Sequence, residues 1–172
     1  MDSQTDNASE KTPSVLASLF YLAVFLVTVF VVAGVGASVT ATSIDSWYPT
    51  LAKPPLLPPN WAFPVVWNIL YFMMALSAWL VWRRTGNFDA AGMAFSFFGI
   101  QLFLNLGWSL VFFGLQKPLL AVFVIIALLL AIAGTIWSFW RFSKLAALLL
   151  APYFIWTLFA AYLTIAITIL NP

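Results

Sequence analysis

The chain has 172 residues, 64% of them hydrophobic and only 7% charged, with a net charge of +2. Soluble domains carry about 25% charged residues, so this chain cannot cover itself with polar surface and its solvent is lipid; nucleic-acid partners are excluded by the small charge. With no cysteine and no histidine, disulfides, thiolate and imidazole metal sites, His or Cys haem ligation and the Ser-His, Cys-His and HExxH chemistries are all unavailable.

Residues 1–12 form a polar tail, and residues 13–172 read as one membrane domain. The first apolar run is far longer than the ~7–15 residues of a signal-peptide core, so it reads as a retained helix. About 20 apolar residues cross a bilayer, and five such spans are predicted. The first covers 15–42, with Thr12 as N-cap and Pro13 in the first turn. The second covers 65–82 and stops at Arg83-Arg84. The third covers 90–113, capped by Asp89 and ended by Gly114. The fourth covers 118–140, and the fifth 145–170, capped by Ser143 and bent at Pro152. The expectation is an all-α membrane protein, a bundle of five transmembrane helices. The last three connections are short, which predicts antiparallel packing of consecutive helices.

The first connection is different in kind. SWYPTLAKPPLLPPNWAFPVVW, residues 46–67, holds four Trp or Tyr rings, and half of the chain's ten prolines fall between Pro54 and Pro64. That composition predicts a structured, proline-rich lid between the first two helices, with Ser46 and Asn60 as hinges. Lys11, Arg83, Arg84, Arg141 and Lys144 fall on one side of the membrane, and Lys53 and Lys117 on the other. The positive-inside rule then puts the N-terminus in the cytoplasm and the 43–64 loop and C-terminus outward. No Asp, Glu, Lys or Arg lies within a span, which argues against proton- or ion-coupled transport.

Three helical stripes carry polar or ring-bearing residues. Gln101, Asn105, Trp108 and Phe112 share a face of the third span. Their two carboxamides serve either as interhelical glue or as the polar points of a ligand pocket. Tyr153, Trp156, Ala160 and Thr164 share a face of the fifth, and Trp67, Tyr71, Met74 and Ala78 a face of the second. Trp79, Trp82, Trp137 and Trp140 read as interfacial anchors. Gly34/Ser38, Ala33/Ala37 and Ala127/Ala131 form small-xxx-small pairs that allow close helix contact, within the bundle or in a homodimer.

WYxxLxKPxxxPP followed by VWxxLY, together with QLFLNLGWSLVFFG and PYFIWTLFAAYL, resembles the tryptophan-rich sensory protein family, which includes the mitochondrial translocator protein. The likeness runs over about residues 15–171. It implies a five-helix bundle, usually dimeric, with a pocket under the first loop for porphyrins or other tetrapyrroles and, in mitochondrial members, cholesterol. The family's pocket residues fall on Trp47, Tyr48, Trp67, Tyr71, Asn105, Trp108, Trp156 and Ala160. Gln101 would offer a second buried carboxamide, and Lys53 a cation at the rim for a propionate.

Two departures stand out. Leu56 replaces a tryptophan common in the family's loop, leaving open whether Trp61 supplies the missing ring. Leu163-Thr164 replaces a common Leu-Asn. No Lys or Arg follows Tyr162, so sterol recognition is not carried over. The leading reading is a binding or sensory protein for a tetrapyrrole-like ligand in a bacterial cell membrane. The alternatives are a photo-oxidative tetrapyrrole-degrading enzyme working through pocket tryptophans and a membrane scaffold. No catalytic residue, metal or cofactor is assigned.

Overall fold

The structure, a computed structural model, describes residues 13–172. Its elements are α1 (Val15–Ile44), a 3₁₀ turn (Tyr48–Thr50), α2 (Ala62–Thr85), a second 3₁₀ turn (Asp89–Ala91), α3 (Gly92–Ser109) continued by a π-helical turn (Leu110–Gly114), α4 (Pro118–Trp140), α5 (Lys144–Leu149) and α6 (Ala151–Leu170). Five stretches are long and apolar enough to cross a membrane, with α5 and α6 together forming the fifth. The all-helical, five-span architecture is therefore as expected, and helices are what lipid demands of a backbone that must satisfy its own hydrogen bonds.

The helix ends show which local signals won. Ser143 Oγ accepts from Ala146 N at 3.2 Å, as expected. Thr12 lies outside the described residues, and Ser14 caps α1 by accepting from Ala17 N at 3.2 Å. Asp89 does not cap the third span; Asn87 does, through Oδ1 accepting from Ala90 N at 2.8 Å. Asn87 lies just before the 3₁₀ turn, Phe88 holds its cap position and Asp89 is its first residue. Gly86 ends α2 with φ 71°, a left-handed conformation that a Cβ disfavours. Pro152 lacks an N–H, and the helix is interrupted just upstream, at Leu150.

The helices form a closed ring. α1 packs against α2 on one side and α3 on the other, α3 packs on α4, α4 on α5 and α6, and α5 returns to α2. Ser77 Oγ donates to the Ala146 carbonyl at 2.7 Å across that last joint. This corrects one expectation: α2 and α3, though consecutive, are not side-by-side neighbours, because α1 lies between them. They meet only across the bundle's middle.

The end away from the long loop is dry and ring-filled. Tyr21 stacks on Trp82 with centroids 3.9 Å apart, and Phe98 stacks on Phe139 at 6.0 Å. Gly134 lies so close to Phe97 that a Cβ would approach its ring to 2.9 Å. Trp137 and Trp140 are exposed beside Arg141 and Lys144, as anchors should be. Trp82 is not an anchor: it is 3% exposed and part of the core. Its place at the span end could not distinguish an inward indole from an outward one.

Candidate functional site

At the loop end the ring of helices opens into a cavity of about 560 Å³, within the roughly 300–1,000 Å³ typical of small-molecule sites. All three polar stripes point into the bundle. Trp67 and Tyr71 from α2, Asn105 and Trp108 from α3, Trp156 and Ala160 from α6, and Tyr48 from the loop all line the cavity. Among the described residues, no Asp, Glu, Lys or Arg does.

The floor is a hydrogen-bonded chain. Tyr71 donates its hydroxyl proton to Asn105 Oδ1, and Asn105 Nδ2 donates to Tyr153 Oη at 3.1 Å. The Asn105 carboxamide thus joins α2, α3 and α6. Both of its polar atoms have a protein partner, which is the glue reading of that residue, and each keeps capacity for one more bond on a residue that borders the cavity. Leaving such a buried group unpaired costs about 1–3 kcal/mol, so the chain holds the floor in one arrangement.

The walls are rings. Trp67 lies against Tyr71 at 5.7 Å and edge-on to Tyr153 at 6.2 Å. Trp108 stacks on Phe112 at 5.6 Å, and its indole N–H donates to Thr164 Oγ1 at 3.3 Å. The threonine at this family departure therefore anchors a wall tryptophan. Trp156 Nε1 differs: it is buried with no hydrogen-bond partner. It is an unmatched donor on a residue of the cavity wall.

The π-helical turn shapes the upper wall. Leu115 N donates to the Leu110 carbonyl at 2.8 Å, one residue wider than an α-turn. Consecutive residues on an α-helix diverge by 100°, yet Phe112 and Phe113 are both buried, with centroids 4.8 Å apart. Phe113 then receives Tyr48 of the loop at 5.8 Å. Burial pushes the Tyr48 phenol above the ordinary tyrosine value of 10.0, so it is neutral at physiological pH.

Three of the expected residues do not line the cavity: Trp47, Lys53 and Gln101. Trp47 sits edge-on to Phe112 at 5.6 Å, behind the wall. The Lys53 ammonium lies 4.9 Å over the Tyr48 ring and donates to the Pro49 and Leu51 carbonyls at 3.3 and 3.4 Å. It folds the loop onto itself. Gln101 is one helical turn beneath Asn105, 1% exposed, with Nε2 3.8 Å from Met74 Sδ and Oε1 unpartnered. Leu56 and Trp61 are 68% and 69% exposed, so Trp61 does not supply the missing ring. Phe63 lies edge-on to Trp156 at 5.8 Å and lines the cavity. Sequence reasoning missed Phe63, and also Asn68, a carboxamide on the cavity's edge whose Nδ2 donates to the Pro64 carbonyl at 2.8 Å. Its i+4 spacing from Pro64 was the available signal.

The small residues of α1 serve two faces. Gly36 lies against Ser109 of α3, where a Cβ would come within 3.4 Å of the hydroxyl oxygen. Ala33, Gly34 and Ala37 line the cavity, and Gly36 borders it too.

The loop is fastened from the far end of the chain. The Asn171 carboxamide accepts from Ala52 N at 2.9 Å and donates to the Ala52 carbonyl at 3.0 Å. A family model described as the TspO/MBR family matches residues 23–170. The chain is similar to the tryptophan-rich protein TspO of Chlorobaculum tepidum, 42% identical over 137 residues, 80% of this chain and 87% of that protein. The protein of the same name from Archaeoglobus fulgidus is 39% identical over 154 residues, 90% of this chain and 99% of that one. The translocator protein of Ovis aries is 38% identical over 119 residues, covering 68% and 70%.

Proposed function

The chain belongs to the TspO/MBR family of membrane proteins, and from that premise we propose that it captures a flat, largely apolar molecule of the tetrapyrrole kind between its helices, beneath the loop. The observation that carries this is the cavity of about 560 Å³, walled by indole and phenol rings from three helices and the loop and lined by no Asp, Glu, Lys or Arg among the described residues. Ring faces suit ring faces. An uncharged interior rejects a free carboxylate, so the acidic edge of a porphyrin belongs at the loop or at the lipid side. The unmatched Trp156 N–H favours a ligand with a hydrogen-bond acceptor along its edge. By the distribution of Lys and Arg, the loop faces outward and the N-terminus the cytoplasm.

Titration of the detergent-solubilised protein with protoporphyrin IX, followed by tryptophan quenching, tests the reading. Saturable quenching at micromolar ligand is expected, and Trp67→Ala weakens it by about tenfold, or about 1.4 kcal/mol. Absence of saturable quenching, or full affinity in the variant, contradicts it.

A further inference from the structure

Two sides of the cavity are covered by side chains. The loop face is held by Tyr48 packed on Phe113 and by the paired hydrogen bonds between Asn171 and Ala52. At the α2–α6 seam Phe63 of α2 meets Trp156 of α6 at 5.8 Å, and Trp156 and Phe159 stand between the cavity and an outer apolar groove lined by Val66, Ile69, Met73 and Ile155.

The α1–α2 gap is not filled. Away from the loop the two helices are joined, by Tyr21 on Trp82 and by Trp79 Nε1 donating to the Ser18 carbonyl at 2.8 Å. Toward the loop α1 leans the other way, onto α3. Gly36 lies against Ser109, Val39 against Gly114, and Ser43 Oγ donates to the Phe113 carbonyl at 2.7 Å. What remains along the gap is Gly34, Ala37 and Ala41 on α1, with Phe30 of the same stripe one turn further from the loop, and Pro64 and Asn68 on α2. Every one of them lines the cavity and is also exposed. Gly34, Ala37 and Ala41 are too short to bridge the space: a Cβ added at Gly34 would meet nothing within 4 Å. Gly34 lies ten residues before the end of α1 at Ile44, about 15 Å along the axis at 1.5 Å per residue. That depth is within a hydrocarbon core about 30 Å thick. The gap faces lipid, not water.

We propose that the cavity exchanges its ligand sideways with the bilayer through the α1–α2 gap, with Gly34 and Ala37 setting its width. The ligand is then a membrane-dissolved apolar molecule rather than one delivered from water. This rests on the binding reading above.

The test uses full-length protein in phosphatidylcholine vesicles. Protoporphyrin IX is supplied from protein-free vesicles, and stopped-flow tryptophan quenching is followed. Gly34→Leu and, as a second variant, Ala37→Leu should slow association and release together, by about tenfold, while Asn171→Ala leaves both within about twofold. Slowing in both directions is what a narrowed passage requires; loss of a contact would speed release. Unchanged association in both gap variants, or a tenfold acceleration in Asn171→Ala, overturns the route while leaving binding intact. No saturable quenching in the unmodified protein overturns the binding reading and the route with it.

Discussion

The two ends of the bundle are built from the same residue types and do opposite things with them. Away from the loop, aromatic side chains pack on one another: Tyr21 on Trp82, Phe98 on Phe139, Phe97 over Gly134. At the loop end, Trp67, Trp108 and Trp156 line a space instead of filling it. Rings that fill a core stabilise the fold, whereas rings that wall a void forgo contacts that a ligand can restore. The difference comes from the course of α1, which sides with α2 at one end and with α3 at the other.

Substitutions should separate the two ends cleanly. The largest effect is expected at Phe139, which is fully buried and stacked on Phe98. Phe139→Ala should lose about 3–5 kcal/mol of stability, read as thermal unfolding in detergent, with protoporphyrin affinity retained in the folded fraction. Next is Gly134→Val, whose side chain must displace Phe97 at a cost of about 1–3 kcal/mol. Equal loss from Phe63→Ala at the cavity would erase the contrast. Asn105→Leu lies at the boundary and should move both readouts, lowering stability by about 1 kcal/mol and changing ligand affinity as Tyr71 and Tyr153 lose their shared partner.

Trp156→Phe keeps a ring and removes an unpartnered N–H. It should leave stability unchanged and weaken an acceptor-bearing ligand by about two- to tenfold; weakening of a ligand without an acceptor by the same factor would show that the N–H is irrelevant. The smallest effect is with pH. Burial raises the Tyr48 phenol above 10.0, so loop closure favours the protonated form. The contribution is complete below pH 10.0 and is lost as pH rises through the raised value. Protection factors of the amides in residues 46–53, corrected for the intrinsic base-catalysed rate, should accordingly be constant at neutral pH and fall only in strong alkali.

Much of this contrast is legible in the sequence, in a particular way. Spacing shows that Tyr71 and Met74, Gln101 and Asn105, or Tyr153 and Ala160 share faces, and those faces do turn inward. Spacing does not show which helix lies opposite which. Hence α2 and α3 read as neighbours, though α1 separates them. Nor does it show depth, so Gln101 reads like Asn105 although only the latter reaches the cavity. The π-helical turn leaves no mark in side-chain type, because it is a choice among backbone acceptors. Lys53 reads as a free cation at a rim; in the fold its ammonium donates to its own loop carbonyls and lies over Tyr48. Trp61 and Phe63 are two positions apart and fall on different sides of the start of α2. Only the helix start decides which ring turns inward.

The fastening of Ala52 by Asn171 joins positions 119 apart. Contacts of such separation must wait for the chain between them to be placed. As the polypeptide is made, the loop emerges early, between the first two helices, while its fastener arrives with the fifth span. Until then the Trp156 wall is missing as well, for it belongs to the same late segment. A nascent chain of four helices therefore carries an uncovered, three-sided hollow, and the arrival of one final helix supplies both the missing wall and the catch for its cover.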